Sequence, residues 1–242
     1  NCSKPICEVF NTNNMEYMKT IPDKFFDLVI ADPEYGIGTG DMAYLKSKRP
    51  VKQRHTNNKL FTPKTIYKNY DWDNKPPEDK YFSELKRVSK NQIIWGANYF
   101  TQIIGGMLVW DKLNGETSFS DGEIAYSSFN NKTEIFYFMW SGMIQGVYCG
   151  SDFRKALIQQ GDKSKNEARI HPTQKPVIIY KYLLGKYAKQ GDKIFDPNMG
   201  SQSSRIAAYD MGFDYYGCEL DKDYFEQGNK RFENFKLQLK LL

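Results

Sequence analysis

Short apolar runs alternating with helix-patterned stretches constrain this chain most. FFDLVIA (25–31), NQIIWGA (91–97), GMLVWD (106–111), TEIFYFMW (133–140) and DKIFD (192–196) are short, rich in β-branched and aromatic side chains and bounded by turn residues, which predicts strands. Between and after them, YFSELKRVSK (81–90) sets Phe82, Leu85 and Val88 at helical spacing. VIIYKYLLGKYAK (177–189) follows Pro176 as a first helical residue, and SSRIAAYDMG (203–212) ends in Gly212 as a cap. The closing stretch DKDYFEQGNKRFENFKLQ reads as an amphipathic helix through Tyr224, Phe225, Phe232 and Phe235. This alternation implies an α/β fold with a largely parallel sheet. Segments 40–77 and 145–170 are polar, glycine-rich or basic without periodicity, so they are expected as loops or insertions, and long loops are usually functional or disordered.

With 242 residues, 40% of them hydrophobic, the chain can bury one sizeable core, so one main domain with an inserted region is expected. No apolar stretch approaches the ~20 residues of a membrane span and the start lacks a signal pattern, so the expected protein is soluble and cytoplasmic. Cys2, Cys7, Cys149, Cys218, His55 and His171 do not form paired ligand spacings, so neither structural zinc nor a disulfide framework is expected. The net charge of +5 is unevenly placed: residues 42–70 hold eight basic residues and no acid, which leaves −3 for the rest. Such a block is either a solvated face or a footprint for a polyanion, and the interleaved Tyr44, Phe61, Tyr67 and Tyr70 favour the second.

Two of the expected strands have unusual carboxyl ends, where ligands of doubly wound sheets bind. DKIF runs into Asp196, Pro197, Asn198, Met199, Gly200 and Ser201 before a helix. A glycine there lets backbone approach a ligand, and the helix start presents unpaired N–H groups. Glu219, at the end of the next strand, lies 23 residues beyond Asp196, a spacing suited to accepting hydrogen bonds from the ribose hydroxyls of an adenosine cofactor. The lone Gly200 is not G-x-G-x-x-G, so a dinucleotide is disfavoured. The other end is Asp32, Pro33, Glu34 and Tyr35. The Asp32 carboxylate and the Pro33 carbonyl are two acceptors, and Tyr35 is a flat face. One conjugated NH₂ group donating two hydrogen bonds beside a stacked ring fits that set.

With both ends in hand, the chain resembles the DNA amino-methyltransferases that use S-adenosylmethionine, whose D-P-P-Y type catalytic turn and D-P-F-x-G-S-G type cofactor loop match residues 32–35 and 196–202. The order of the motifs is similar to the permuted β group, RIHPTQKPV (169–177) is similar to the segment before that group's cofactor loop, and KNQIIWGANYF looks like prophage-type members. The resemblance implies a Rossmann-like class I methyltransferase fold, permuted, with a mixed, largely parallel sheet, helices on both faces and a small inserted DNA-recognition region. It implies Asp32, Pro33 and Tyr35 as catalytic residues acting on a flipped-out base, and Asp32, Thr173, Lys175, Asp196, Pro197, Asn198, Gly200, Ser201 and Glu219 as S-adenosylmethionine-binding residues. Duplex DNA is the implied partner. The 40–77 stretch, through Lys46, Lys48, Arg49, Lys52, Arg54 and Lys59, would be a DNA-facing loop, and 112–168, with Arg154, Lys155, Lys163 and Lys165, a candidate target-recognition insertion. The setting is a bacterial or phage-infected cytoplasm and restriction-modification. A homodimer is one arrangement, and a nuclease partner is left open.

Asp32, where cytosine-N4 enzymes of this family usually have Ser, favours adenine N6 as the target. The alternatives are an N4-cytosine enzyme and a catalytically impaired DNA-binding relative; an RNA or protein-glutamine methyltransferase is disfavoured by motif order. Two departures bear on impairment. Glu34 replaces the second proline and is expected to point outward, and Gln202 replaces the second glycine, where a Cβ narrows the site or demands a positive φ.

Overall fold

The computed structural model describes residues 5–38, 51–52, 61–62, 73, 75–114, 120–141, 144–148, 156–158 and 166–239. The strands, in chain order, are β1 (Cys7–Asn11), β2 (Phe26–Ala31), β3 (Val51–Lys52), β4 (Phe61–Thr62), β5 (Ser89–Trp95), β6 (Gly106–Asp111), β7 (Gly122–Ser127), β8 (Thr133–Tyr137), β9 (Trp140–Ser141), β10 (Ile144–Tyr148), β11 (Ala156–Ile158), β12 (Lys193–Asp196) and β13 (Asp214–Glu219). The helices are α1 (Asn14–Lys19), α2 (Asp79–Val88), α3 (Val177–Tyr187), α4 (Ser203–Asp210) and α5 (Lys222–Leu239). Two compact units result, Asn1–Pro33 with Pro77–Leu242, and Glu34–Pro76.

The first unit is built on an eight-stranded sheet of order β1-β13-β12-β2-β5-β7-β6-β8. From β1 to β5 all neighbours are parallel, whereas β7 runs antiparallel to both β5 and β6. β2 is buried at every position but Asp27, which explains its unbroken apolar run. Asp27 accepts a 2.9 Å bond from the Lys193 N–H and pairs with Lys90 at 2.6 Å, so the one polar residue is satisfied at the strand's start. Phe26 stacks on Phe195 of β12 at 4.5 Å, tying the two motif-bearing strands together below their ends.

From β2 the chain crosses through α2 to β5, and from β12 through α4 to β13, in opposite directions along the sheet. Right-handed crossovers then place α1 and α2 on one face and α3, α4 and α5 on the other. In agreement, α1 packs on α2, α3 on α4 and α4 on α5. The directions part between β2 and β12, where an α/β sheet opens a crevice beyond its carboxyl ends. Asp32 and Asp196 stand at those two ends.

Several elements depart from the sequence reading. Pro176 lies one residue ahead of α3 in extended conformation (ψ 151°) rather than in its first turn. Ser89 and Lys90, expected in a helix, begin β5, because the chain leaves α2 at Val88 in extended geometry. Within 145–170, expected as a loop or an insertion, β10 and β11 join β9 in a three-stranded antiparallel sheet. β7 and β8, inside the 112–168 stretch, belong to the main sheet. β1, α1 and β7 had no expectation; α1 starts at Asn13, whose side chain accepts from Met15 and Glu16 N–H groups. In the second unit β3 and β4 pair antiparallel. Among the described residues no helix is long and apolar enough to cross a membrane.

Candidate active site

At the end of β12 the Asp196 carboxylate is 1% exposed and turned inward. One oxygen accepts the Asn198 N–H at 2.9 Å, and the other accepts the Ser204 hydroxyl, which also meets the Tyr215 hydroxyl at 2.8 Å. Burial raises its pKa to about 7, the Ser204 and Asn198 donors only partly offsetting it, and the charges of Asp32 and Glu219 push the same way. Asp196 therefore shapes the loop. Asn198 accepts the Tyr81 hydroxyl at 2.6 Å, and the Pro197 carbonyl accepts from Asn14 at 3.2 Å.

Gly200 has φ +47°, a backbone that disfavours side chains, and it faces the His171 ring: a Cβ there would lie 3.9 Å from it. Its N–H donates to Glu219 at 2.8 Å, and the second Glu219 oxygen accepts the Asp221 N–H at 2.8 Å. Glu219 thus ties Gly200 to the end of β13.

Of the two alternatives the sequence left for Gln202, a narrowed site or a positive φ, the second is found, at +60°. Gln202 is fully buried against α5, where its amide donates to the Phe225 carbonyl at 3.1 Å and accepts from Arg205 at 2.8 Å. Gly228 makes the room, since a Cβ there would fall 2.5 Å from the Gln202 amide nitrogen. The departure from glycine at 202 is matched by a glycine in the last helix.

Asp32 lies at the end of β2 in the opposite electrical setting. The Lys175 ammonium, its side chain 3% exposed, sits 2.5 Å from one Asp32 oxygen and 3.0 Å from Glu123 on β7. Lys112, just past β6, holds the other Glu123 oxygen at 2.7 Å. Lys175 also lies 5.0 Å from the centre of the Trp95 ring. Burial disfavours the Lys175 charge, but Asp32 and Glu123 outweigh it and raise its pKa. Glu123 shows the converse: burial opposes its charge, yet Lys175 and Lys112 hold its carboxyl down at about 2. The result is an alternating row of four charges, Lys112, Glu123, Lys175 and Asp32.

The segment carrying Lys175 is itself pinned. Glu167 accepts the Val177 N–H at 2.9 Å and pairs with Arg231 of α5, which donates to the Ser201 carbonyl at 2.6 Å. Gln174 donates to the Ala168 carbonyl and accepts the Ile170 N–H. Thr173 is exposed, and its N–H donates to His171 Nδ1 at 3.3 Å. Burial, with the Lys175 charge, pushes the His171 pKa down to about 3, so the ring is neutral beside Gly200. Ser201 is buried, its hydroxyl against that of Ser203.

In the second unit the turn after Pro33 is organised by Asp73, which is 2% exposed. One Asp73 oxygen accepts the N–H groups of Tyr35 and Gly36 at 2.8 and 2.9 Å, and its carbonyl accepts that of Gly38 at 2.9 Å. Gly36 has φ +73°, and a Cβ would fall 2.5 Å from the Pro76 ring, so only glycine fits. Glu34 is half-buried, where the sequence reading expected an outward side chain.

Of the residues expected to act, Asp32 and Lys175 are thus brought together across 143 positions, and Gly200 with Glu219. Lys46, Lys48, Arg49, Arg54 and Lys59, like Arg154, Lys155, Lys163 and Lys165, lie outside the described residues, and Lys52 is placed by its backbone in β3. The sequence reading did not single out Lys112, Glu123, Glu167, Arg231 or Asp73. For Glu123 a signal exists, a lone acid in the apolar strand GEIAYS; Asp73, in a polar stretch, has none.

Comparison with known proteins relates the chain to DNA methyltransferases by sequence and by fold. Residues 139–230 match the model of an N6/N4 methyltransferase family described as DNA methylase. Over 96% of its length and 89% of the relative's, the chain is 22% identical to the type II methyltransferase M2.MboI of Moraxella bovis. It is 26% identical to the type II methyltransferase M.HinfI of Haemophilus influenzae over 92% of this chain and 67% of that one. Among solved structures, the complex of M1.HpyAVI with S-adenosylmethionine superposes with a TM-score of 0.51 at 15% identity, covering 93% of this chain and 98% of the other, a likeness of fold.

Proposed function

We propose that the chain is a site-specific DNA methyltransferase that moves the methyl group of S-adenosylmethionine to the exocyclic N6 of a flipped-out adenine. The observation that carries this reading is the Asp32 carboxylate, held by the Lys175 ammonium at 2.5 Å at the end of β2, next to the strand that leads into the glycine loop tied to Glu219. The family match and the type II methyltransferase relatives support the class of activity.

The residues of the loop fit the cofactor. Gly200 leaves its face open toward His171, Glu219 offers a carboxylate at the end of β13, and neutral His171 adds no positive charge to repel a sulfonium. Pro197, Asn198 and Ser201 adjoin Gly200 in the chain and Thr173 follows His171, while Asp196 accepts the Asn198 N–H within the loop. S-adenosylmethionine supplies an electrophilic methyl on a sulfonium sulfur.

Asp32 and the Pro33 carbonyl accept the two N–H bonds of the target amine, which draws its lone pair out of ring conjugation and toward the methyl. Tyr35, two residues past Pro33 with its N–H held by Asp73, stacks on the base. The bound cofactor would supply its methyl to that nitrogen and leave as a neutral thioether, and the methylated amine would release one proton. Asp32, paired with Lys175, orients the amine, and the released proton passes to solvent water. Lys46, Lys48, Arg49, Lys52, Arg54 and Lys59 grip the DNA backbone in this reading. Asp32, rather than serine, favours adenine over cytosine.

The test is incubation of the purified protein with unmethylated duplex DNA and S-adenosylmethionine, followed by nucleoside mass spectrometry. N6-methyladenine is the expected product. N4-methylcytosine would overturn the base assignment, and DNA bound without any methylated base would favour the impaired relative.

A further inference from the structure

Lys175 is expected from the resemblance to serve the cofactor, but its ammonium is engaged elsewhere. It is one of the most deeply buried cations among the described residues, and it bridges two carboxylates from separate strands, Asp32 at 2.5 Å and Glu123 at 3.0 Å. A long side chain in such a bridge has one rotamer and little freedom to reach a ligand. Glu123 is held from behind by Lys112, so the bridge is anchored across β6 and β7 to the end of β2.

We propose that Glu123, anchored by Lys112, is a positioning residue for methyl transfer: it fixes Lys175 against Asp32, and Lys175 serves the catalytic carboxylate rather than the cofactor. The inference rests on Asp32 being the amine acceptor. Its physical content is a division of one ammonium between two carboxylates. Glu123 holds Lys175 in place and also takes part of its field, so that Asp32 stays ionised without being wholly neutralised. A fully neutralised Asp32 would be a weak acceptor, and an unaccompanied one would take up a proton.

Among the described residues, the groups that bear on this carboxylate include Lys175 ahead of α3, Asp196 on β12, Tyr180 on α3 and, through Lys175, Glu123 on β7, Lys112 after β6 and His171. Removing the ammonium and removing Glu123 therefore act in opposite directions. With Lys175→Gln, Asp32 loses its cation and keeps the neighbouring acids, so activity is lost on the acid side at a higher pH. With Glu123→Gln, the whole Lys175 charge falls on Asp32, and the acid limb moves lower.

The experiment measures kcat for DNA methylation against pH, and the S-adenosylmethionine dissociation constant by calorimetry, for wild type, Glu123→Gln, Lys175→Gln and Lys175→Arg. In Lys175→Gln the acid limb rises by about one pH unit or more. In Glu123→Gln it falls, kcat drops about 10- to 100-fold through a displaced Asp32, and cofactor affinity stays within about twofold. Lys175→Arg, which keeps the cation, leaves the limb in place and is the control should Lys175→Gln not fold. A limb that stays put in Glu123→Gln, or cofactor binding that weakens in step with kcat, overturns the proposal while leaving the methyltransferase reading intact. A wild-type protein that methylates no DNA overturns both.

Discussion

The motif Asp-Pro closes two neighbouring strands of this sheet, and the two aspartates live in opposite surroundings. Asp32, at the end of β2, has an ammonium at 2.5 Å and part of its side chain exposed. Asp196, at the end of β12, has only hydroxyl and amide donors, is almost fully buried and has a pKa pushed up to about 7. The same dipeptide thus presents a carboxylate paired with an ammonium at one strand end and a buried, turn-forming carboxyl at the other. What separates them is which distant residue the fold delivers: Lys175 to the first, Ser204 and Tyr215 to the second.

The largest effect expected from this contrast is at Asp32. Asp32→Ala lowers methyl transfer by about 10²–10³-fold, as loss of a preorganised transition-state partner does, while calorimetry still detects cofactor binding. Next is the buried cation. Lys175→Met removes the cation from Asp32 and leaves Glu123 with Lys112 alone, and costs about 3–5 kcal/mol in urea unfolding, whereas the exposed pair Lys19–Glu16 can be broken with about 0–1 kcal/mol lost.

Asp196 gives a pH signature of the other sign. Its folded pKa lies above the unfolded value, so the folded state binds the proton more tightly, and its contribution to stability declines as pH rises from about 4 to about 7. His171, pushed down to about 3, works against this, since its contribution is present above the unfolded pKa near 6.5 and is lost as pH falls. The difference between wild type and Asp196→Asn isolates the aspartate. The variant is expected to gain in melting temperature relative to wild type on going from pH 5 to pH 8, and an equal difference at both pH values would contradict the buried, proton-binding Asp196.

The smallest effect is at Gln202 and Gly228. Gly228→Ala forces a Cβ onto the Gln202 amide and costs about 1–3 kcal/mol of stability. In the Gln202→Gly background the obstruction is gone, and the same alanine is neutral or stabilising by about 1 kcal/mol through helix propensity. Equal costs in both backgrounds would show that the two residues are not coupled.

The two strand ends were legible in the sequence, but the contrast between their aspartates was not. The runs FFDLVIA and DKIFD are apolar enough to be strands on local grounds, and both stop at Asp-Pro, so the two strand ends and the loop glycine Gly200 follow from spacing. The positive φ of Gln202 was legible as one of two alternatives; the outlet for its side chain at Gly228 was not, since a glycine in an amphipathic helix carries no local sign of what approaches it. Likewise β7 has no long apolar run, and its Glu123 acquires a purpose only when the sheet order sets it near Lys175. Contacts between residues far apart in the chain depend on topology, and the chemistry of Asp32 is of that kind.

The most direct measurement compares Asp32→Asn with Asp196→Asn in one assay of methyl transfer to duplex DNA, with S-adenosylmethionine binding followed in parallel. The account predicts that Asp32→Asn loses transfer and keeps the cofactor, while Asp196→Asn, a near-isostere of a group already inclined to hold its proton, keeps transfer. Transfer that survives in Asp32→Asn and disappears in Asp196→Asn would contradict it.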